Sequence, residues 1–474
     1  MENHGGLEKK YGLFTAICMV VGIVIGSGVF FKAQTILEKT EGNMPMGILA
    51  WFIGGAIMLL CILTFGNMAG KYEKVNGIVD YAEATVSGKY AYMVGWFLTT
   101  IYYPTLTMAL AWLSARYTLV FLTSVAPDFP LLISVADGGC IVGPECMALT
   151  MLYLCCSFAV NALSPKLAGK FQTTTTVIKL IPLALMAVVG IIVGITSGVL
   201  TQNFDASAAV AAAEAANKST GTLLFTAVCA TSFAYEGWII ATSINSELHN
   251  AKKNLPKALF VGGIVIIAVY ILYFIGVAGG ASTNQLIEEG ATVAFTNVFG
   301  KVLGNILNLF VAISCMGTMN GLMLGCSRGM YSIAVRRRGI KPEIYSQVDK
   351  QTNMAANSAI LGLVFCAAWM FYFYLSNLAG TWSGAFVFDP TELPIVTIYA
   401  FYLPIFFMWM KKEKTESFVR RFLLPILATV GSLFMILACI IAHKMGCVWY
   451  LIVFAVIMLV GLLFARDRKN KNQD

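Results

Sequence analysis

Along this chain, long apolar stretches alternate with short segments rich in polar, glycine or proline residues. A helix needs about 20 mostly apolar residues to cross the hydrocarbon core of a bilayer. Twelve runs approach or exceed that length: residues 11–37, 47–69, 91–123, 146–163, 172–196 and 221–244, then 258–278, 302–335, 356–374, 393–410, 422–442 and 446–464. The runs are too continuously apolar for the alternating strands of a barrel, and lipid leaves no backbone polar group unpaired, so the spans they predict are helices. The expected fold class is all-α, a polytopic membrane protein with twelve transmembrane helices in one membrane domain. The longest intervening segments, 124–145, 201–221 and 279–301, are loop-sized, and the alanine-rich stretch 206–216 reads as a short helix or a flexible loop.

Two runs carry interruptions that a simple anchor does not need. In the first, Gly22, Gly26, Ser27 and Gly28 break VGIVIGSGVFF, and each glycine costs a helix about 1 kcal/mol. In the sixth, SFAYEGW from Ser232 to Trp238 places Glu236 and Gly237 in mid-membrane. Small residues at GxxxGSG spacing also serve close helix packing. A second break five spans later, however, matches the pattern of an inverted-repeat transporter with its site at the midplane. The offset predicts a 5+5 repeat, with halves at 11–200 and 221–410, and a remainder, 411–474, holding helices 11 and 12 and a tail.

The chemistry of the first break follows from helix ends. If the helix unwinds at Gly26 to Gly28, the outer half begins there, and the N–H groups of Ser27 and Gly28 face the gap with the positive end of the dipole. That end suits a carboxylate. The inner half ends just before, leaving the carbonyls of Val24 and Ile25 to receive an ammonium. A zwitterion with both charges on one carbon fits the two ends.

Composition agrees with lipid as the solvent. Of 474 residues, 58% are hydrophobic and 12% charged, with a mean hydropathy of +0.77, about half the charged fraction of a soluble domain. The net charge of +8 is no nucleic-acid signal, because the basic residues fall on alternate loops: Lys9 and Lys10; Lys71, Lys74 and Lys89; Lys166 and Lys170; Lys252, Lys253 and Lys257; Arg336 to Arg338 and Lys341; Lys411 to Arg421; and the tail from Arg466. By the positive-inside rule both termini are expected in the cytoplasm of a plasma-membrane protein, as an even number of spans also requires. No cleavable signal peptide is expected before the first span. The twelve cysteines lie mostly within apolar runs, as small hydrophobes rather than a disulfide framework. Cys140 and Cys146, in or beside the third loop, are placed either to pair or to stand as two thiols.

Other chemistries lack their parts. His4, His249 and His443 are scattered, neither HExxH nor a P-loop is present, the cysteines show no paired zinc spacing, and nothing resembles a selectivity filter. No catalytic residue, metal ligand or cofactor is expected.

In order and spacing, GIVIGSGVF in span 1, FAYEGW in span 6, ELHNAKKNLPKAL from Glu247 and ISCMGTMNGLMLGCSRGMYSIAVRRRG from Ile313 resemble the amino acid–polyamine–organocation superfamily of permeases, and within it the L-type amino acid transporter branch with its bacterial exchangers. The resemblance implies a LeuT-like core and a secondary active amino acid transporter, most simply a sodium-independent exchanger, with a proton-coupled or cationic amino acid or polyamine permease as the alternative. It implies substrate contacts at Val24, Ile25, Gly26, Ser27 and Gly28, an aromatic gate at Phe233, and backbone carbonyls of Phe233, Ala234, Tyr235 and Glu236 completing the ammonium shell. It also gives Lys179 a role. A charge in mid-helix costs about 2.5 to 3.5 kcal/mol. Its place near a helix end also permits snorkelling, whereas in the resembling branch such a lysine replaces a sodium ion and ties helix 1 to helix 8, here through Ser314.

Glu236 departs from the more common glycine-like residue of that branch, and three roles fit it: favouring cationic substrates, carrying a proton, or bracing the broken helix. Arg116, Arg328 and Asn320 read as interface or helix-pairing residues, Tyr102, Tyr103 and Pro104 as interruptions of span 3 able to line the cavity, and Asp389 and Glu392 as a solvated loop. Some members of the family link to a single-span heavy subunit through a cysteine in the third loop, but this chain is expected to work without an ancillary subunit.

Overall fold

In the computed structural model, residues 9, 11–72, 76–126, 134–136, 140–205, 207–215 and 217–465 are described. Among them, eleven helices are long and apolar enough to cross a membrane. These are span 2 (Met44–Lys71), span 3 (Gly88–Val125), span 4 (Pro144–Leu163), span 5 (Pro165–Ser197), span 6 (Thr220–Thr242), span 7 (Ala251–Gly280), span 8 (Lys301–Ala334), span 9 (Ala356–Leu378), span 10 (Leu393–Lys412), span 11 (Val419–His443) and span 12 (Met445–Leu463). Span 1 consists of two short helices, Leu13–Val24 and Gly28–Lys39, neither long enough alone. Each of the twelve apolar runs therefore meets a helix. Their ends differ: span 5 starts at Pro165, well before residue 172, because its first turns carry Lys166, Lys170 and Gln172 and give no apolar signal.

The only strands longer than a single bridge among the described residues form a small antiparallel hairpin, Ser134–Ala136 with Cys140–Val142, between spans 3 and 4. The alanine-rich stretch includes a short helix, Ser207–Ala215. Cys146 is buried at the start of span 4, but the side chain of Cys140 lies outside the described residues, and with it the expected choice between pair and free thiols.

Aromatic side chains fill the centre of the bundle. Trp51 of span 2 meets Tyr235 of span 6 and Tyr270 of span 7 edge to face, and Phe65 meets Tyr402 and Phe406 of span 10, geometries favoured by the ring quadrupole. The periphery is apolar too: Ile192, Ile195, Leu437 and Leu459 are each more than half exposed. This is the expected dress of a bundle solvated by lipid tails.

The breaks have distinct local causes. The first helix of span 1 ends at Val24, Ile25 turns to an extended conformation (φ −72°, ψ 96°), and Ser27 leads into the second helix. Span 6 stays helical through Tyr235. Glu236 then becomes extended, Gly237 takes φ +100°, and a 3₁₀ segment runs over Trp238–Glu247. The expectation had centred this break on Phe233. Phe233 to Tyr235 instead complete the last helical turn, and the chain reverses at the glycine, which alone takes positive φ cheaply. The two breaks touch at Gly28, where an added Cβ would lie 2.7 Å from Ala234 Cα. In span 3 a π-helical turn, Leu98–Tyr102, precedes Pro104, a proline that cannot donate to the carbonyl four residues back.

Twelve crossings place the start of span 1 at Leu13 and the end of span 12 at Leu463 on one face, called here the terminal side, opposite the far side.

Candidate functional site

The breaks of spans 1 and 6 face each other across a small cavity of about 20 Å³. Gly26, Ser27 and Gly28 form one wall, Phe233, Glu236 and Gly237 another, and Leu106, Leu110 and Leu322 contribute apolar surface. The helix Gly28–Lys39 starts at this cavity with no side-chain cap. Its first N–H groups have no intrahelical acceptor, and the dipole adds about 0.3 to 1 kcal/mol for an anion there. The arrangement can receive a carboxylate.

The carbonyl pole is more occupied than the sequence suggests. The Ile25 carbonyl accepts from Lys179 Nζ (2.6 Å) and lies 2.9 Å from Thr318 Oγ1, whose single proton is shared between it and Gly22 O (3.0 Å). The Val24 carbonyl accepts from the Tyr270 hydroxyl at 3.0 Å, and the same hydroxyl lies 2.9 Å from the Ala234 carbonyl. Neither of the two carbonyls expected to stand open is free of side-chain donors. The Tyr235 hydroxyl donates to Trp51 O at 2.9 Å, facing away from the cavity.

Lys179 does not snorkel. It is fully buried, and its three ammonium protons serve four oxygens within reach: Ile25 O, Gly22 O (2.7 Å), Thr318 Oγ1 (3.1 Å) and Ser314 O (3.3 Å), so at least one proton is shared. One charge thus holds the C-terminal end of the first half-helix to span 8. Ser314 takes part through its carbonyl, while its hydroxyl donates to Gly26 O at 3.3 Å. Sequence reasoning missed Thr318, although it lies one helical turn beyond Ser314 on the same face.

Glu236 is buried at the C-terminal end of the helical part of span 6. Tyr102 donates to Oε1, and Oε2 has no hydrogen-bond partner among the described residues. Asn320 joins spans 4, 5 and 8 through Asn161 (2.9 Å) and Gln172 (3.3 Å), and Arg328 forms a buried ion pair with Glu247. Arg116 lies over the rings of Trp112 and Tyr117.

Glu392 corrects the solvated-loop expectation. It is largely buried, paired with Lys32 of span 1 and, at 2.9 Å, with His443 Nε2 of span 11. The Lys32 ammonium also lies 5.6 Å from the centre of the Phe233 ring. This cluster lies beside Phe233, which lines the cavity. Towards the terminal side lie a second small cavity lined by Ile23, Asn161, Gln172 and Asn320 and a larger basic one at Lys9, Lys166, Lys170 and His249. There Tyr11 and His249 exchange backbone bonds with the end of the 3₁₀ segment, Tyr11 N to Glu247 O at 3.0 Å and His249 N to Tyr11 O at 2.9 Å.

A helical bundle with two discontinuous helices crossing at a buried polar cavity is the architecture of a secondary transporter. The crystal structure of MhsT in complex with L-phenylalanine shares this fold at a TM-score of 0.59, with 13% identity, over 91% of this chain and 100% of that one. Residues 11–463 match the amino acid permease family, and the chain belongs to it. It is similar to the serine/threonine exchanger SteT of Bacillus subtilis (strain 168), 28% identical over 93% of each chain. It is also similar to the human b(0,+)-type amino acid transporter 1, 25% identical over 97% of this chain and 87% of that one. The protein is an amino acid transporter of the membrane and not an enzyme.

Proposed function

We propose that the protein exchanges amino acids across the plasma membrane by alternating access, without sodium, and as a single chain with both termini in the cytoplasm. The observation that carries this reading is the Lys179 ammonium, which donates to carbonyls of both span 1 and span 8. A fixed positive charge among oxygen acceptors of this kind does the work a bound sodium ion would do, and leaves no place for one. Residues 11–200 and 221–410 act as the two repeats, with spans 11 and 12 added to them.

In this reading the substrate carboxylate binds the N–H groups of Ser27 and Gly28. The ammonium lies towards Val24, the carbonyls at the end of the span 6 helix and Oε2 of Glu236. Phe233 covers the site on the far side, beneath Lys32 and Glu392. That cover, with further cavities on the terminal side, supports a cycle in which the two faces open in turn. Two relatives carry exchange of serine and threonine, or transport of amino acids, in their names, which supports the substrate class.

Counterflow in proteoliposomes tests the reading. Labelled amino acid should accumulate only in vesicles preloaded with unlabelled substrate, and equally in sodium and choline media. Uptake into empty vesicles driven by a sodium or proton gradient would refute it.

A further inference from the structure

Apart from the substrate cavity, the fold gathers three soft-metal ligands from distant parts of the chain. Cys229 lies on the helix Thr220–Tyr235, and Cys439 and His443 on Leu424–His443. Their ligand atoms lie within 4.8 Å of one another, and both cysteines are buried. Four residues apart, Cys439 and His443 share one helix face. Glu392 Oε2 lies 2.9 Å from His443 Nε2, which fixes the imidazole and leaves Nδ1 for a ligand, as carboxylates do behind metal-bound histidines.

We propose that Cys229, Cys439 and His443 bind a thiophilic divalent cation of the Zn²⁺ class, and that the bound ion pins span 6 to span 11 and holds the far side closed. Two thiolates and one imidazole select a borderline-soft ion over Mg²⁺ or Ca²⁺. Bonds of about 2.3 Å to sulfur and about 2.0 to 2.1 Å to nitrogen require the three side chains to draw together slightly. The two thiol protons leave for solvent as the metal–sulfur bonds form. Two thiolates then neutralise the dication, so no net charge is added to the apolar surroundings. The fourth position stays open to water. Glu392 links the site to Lys32, so the ion would stiffen the ion pairs beside Phe233.

Binding can be read without any assumption about transport. The full-length protein carrying Cys140→Ser, Cys155→Ser and Cys156→Ser, which removes the two cysteines exposed among the described residues and the one whose side chain lies outside them, is titrated with Cd²⁺ as the probe and Zn²⁺ as competitor. A thiolate-to-metal absorption band should saturate at one ion per chain, with release of about two protons per ion from the thiols and a third from His443 where it starts as the imidazolium paired with Glu392, and Zn²⁺ should displace it. Cys229→Ser and Cys439→Ser should abolish the band, and His443→Ala should weaken affinity at least about tenfold. Zn²⁺ added from the far side should slow exchange in the background protein and not in its Cys439→Ser derivative. Should one serine variant aggregate, the other and His443→Ala decide. A band that persists in the serine variants, no saturable band in fully reduced protein, or a Cys229–Cys439 disulfide in its place would overturn the proposal.

Discussion

Replacing Lys179 by alanine tests the structure where span 1, span 5 and span 8 meet. The ammonium's three protons face Ile25 O at 2.6 Å, Gly22 O at 2.7 Å, Thr318 Oγ1 at 3.1 Å and Ser314 O at 3.3 Å, all buried. A hydrogen bond to a charged group contributes about 1.5 to 3 kcal/mol net, and a buried acceptor left unpaired costs about 1 to 3 kcal/mol. Counting only the two shortest bonds at the lower value gives about 3 kcal/mol, or roughly a hundredfold at 1.36 kcal/mol per decade. Thr318 Oγ1 also reaches Gly22 O and Ile25 O, so some of the junction survives, and the lower value is the appropriate one. The expected outcome is a fall of about a hundredfold in the initial rate of amino acid exchange by reconstituted protein, with the variant still monodisperse in detergent. Lys179→Arg should fail as well, because a planar guanidinium cannot reproduce a compact point charge in this space. Exchange within about threefold of wild type in Lys179→Ala would refute the reasoning, since a loss that small corresponds to less than 1 kcal/mol.

Glu236→Gln should weaken every α-amino acid in a competition panel by about tenfold or more, since it removes the charge from the carboxylate that the ammonium would meet; a loss confined to arginine, ornithine and polyamines would place Glu236 at the side-chain pocket instead. Gly28→Val should abolish measurable substrate binding by scintillation proximity, because even a Cβ there would lie 2.7 Å from Ala234 Cα; unchanged affinity would show that the breaks can part without loss. Arg328→Met should lower stability by about 3 to 5 kcal/mol by removing the cation of a buried ion pair with Glu247, seen as a lower midpoint in thermal unfolding. Adding Glu247→Gln to it should recover part of that loss; a double variant no more stable than the single one would mean that the pair is not what holds the 3₁₀ segment to span 8.

What could be read from the sequence divides along physical lines. The twelve apolar runs, the glycine break at Gly26 to Gly28 and the buried lysine at 179 are local signals, each visible within one helix. The ends of span 5 were not visible, because helical turns outside the hydrocarbon carry lysine and glutamine freely. Partners across spans were not visible either. Nothing near Tyr270 announces that its hydroxyl lies against both Val24 and Ala234, and Glu392 reads as a loop acid until Lys32 and His443 are placed beside it. The i, i+4 spacing of Cys439 and His443 was legible. The third ligand, Cys229, sits on a different span, and only the fold supplies it.

The hydrogen bonds at the two breaks also explain why the proposed site treats the ends of a zwitterion differently. Unwinding a helix creates as many orphan carbonyls as orphan N–H groups, and symmetry would suggest one pole for each charge. Here the carbonyls are largely satisfied from within: Lys179 and a share of Thr318 take Ile25, Ser314 takes Gly26, and Tyr270 takes a share of Val24 and Ala234. The N–H groups at the start of Gly28–Lys39 receive no side-chain cap. These bonds hold the broken backbone in place from within, and the N–H end is the one that the proposed reading gives to an anion. The carboxylate then has a preformed partner, and the ammonium is left with one lone pair of Val24, the end of the span 6 helix and the second oxygen of Glu236, whose first is already held by Tyr102. A glycine at position 236 would leave the ammonium to backbone carbonyls alone. Under the proposed reading, glutamate there would add a negative charge at the pole where Lys179 and Tyr270 already occupy part of the carbonyls, which would give the departure at this position a physical reason.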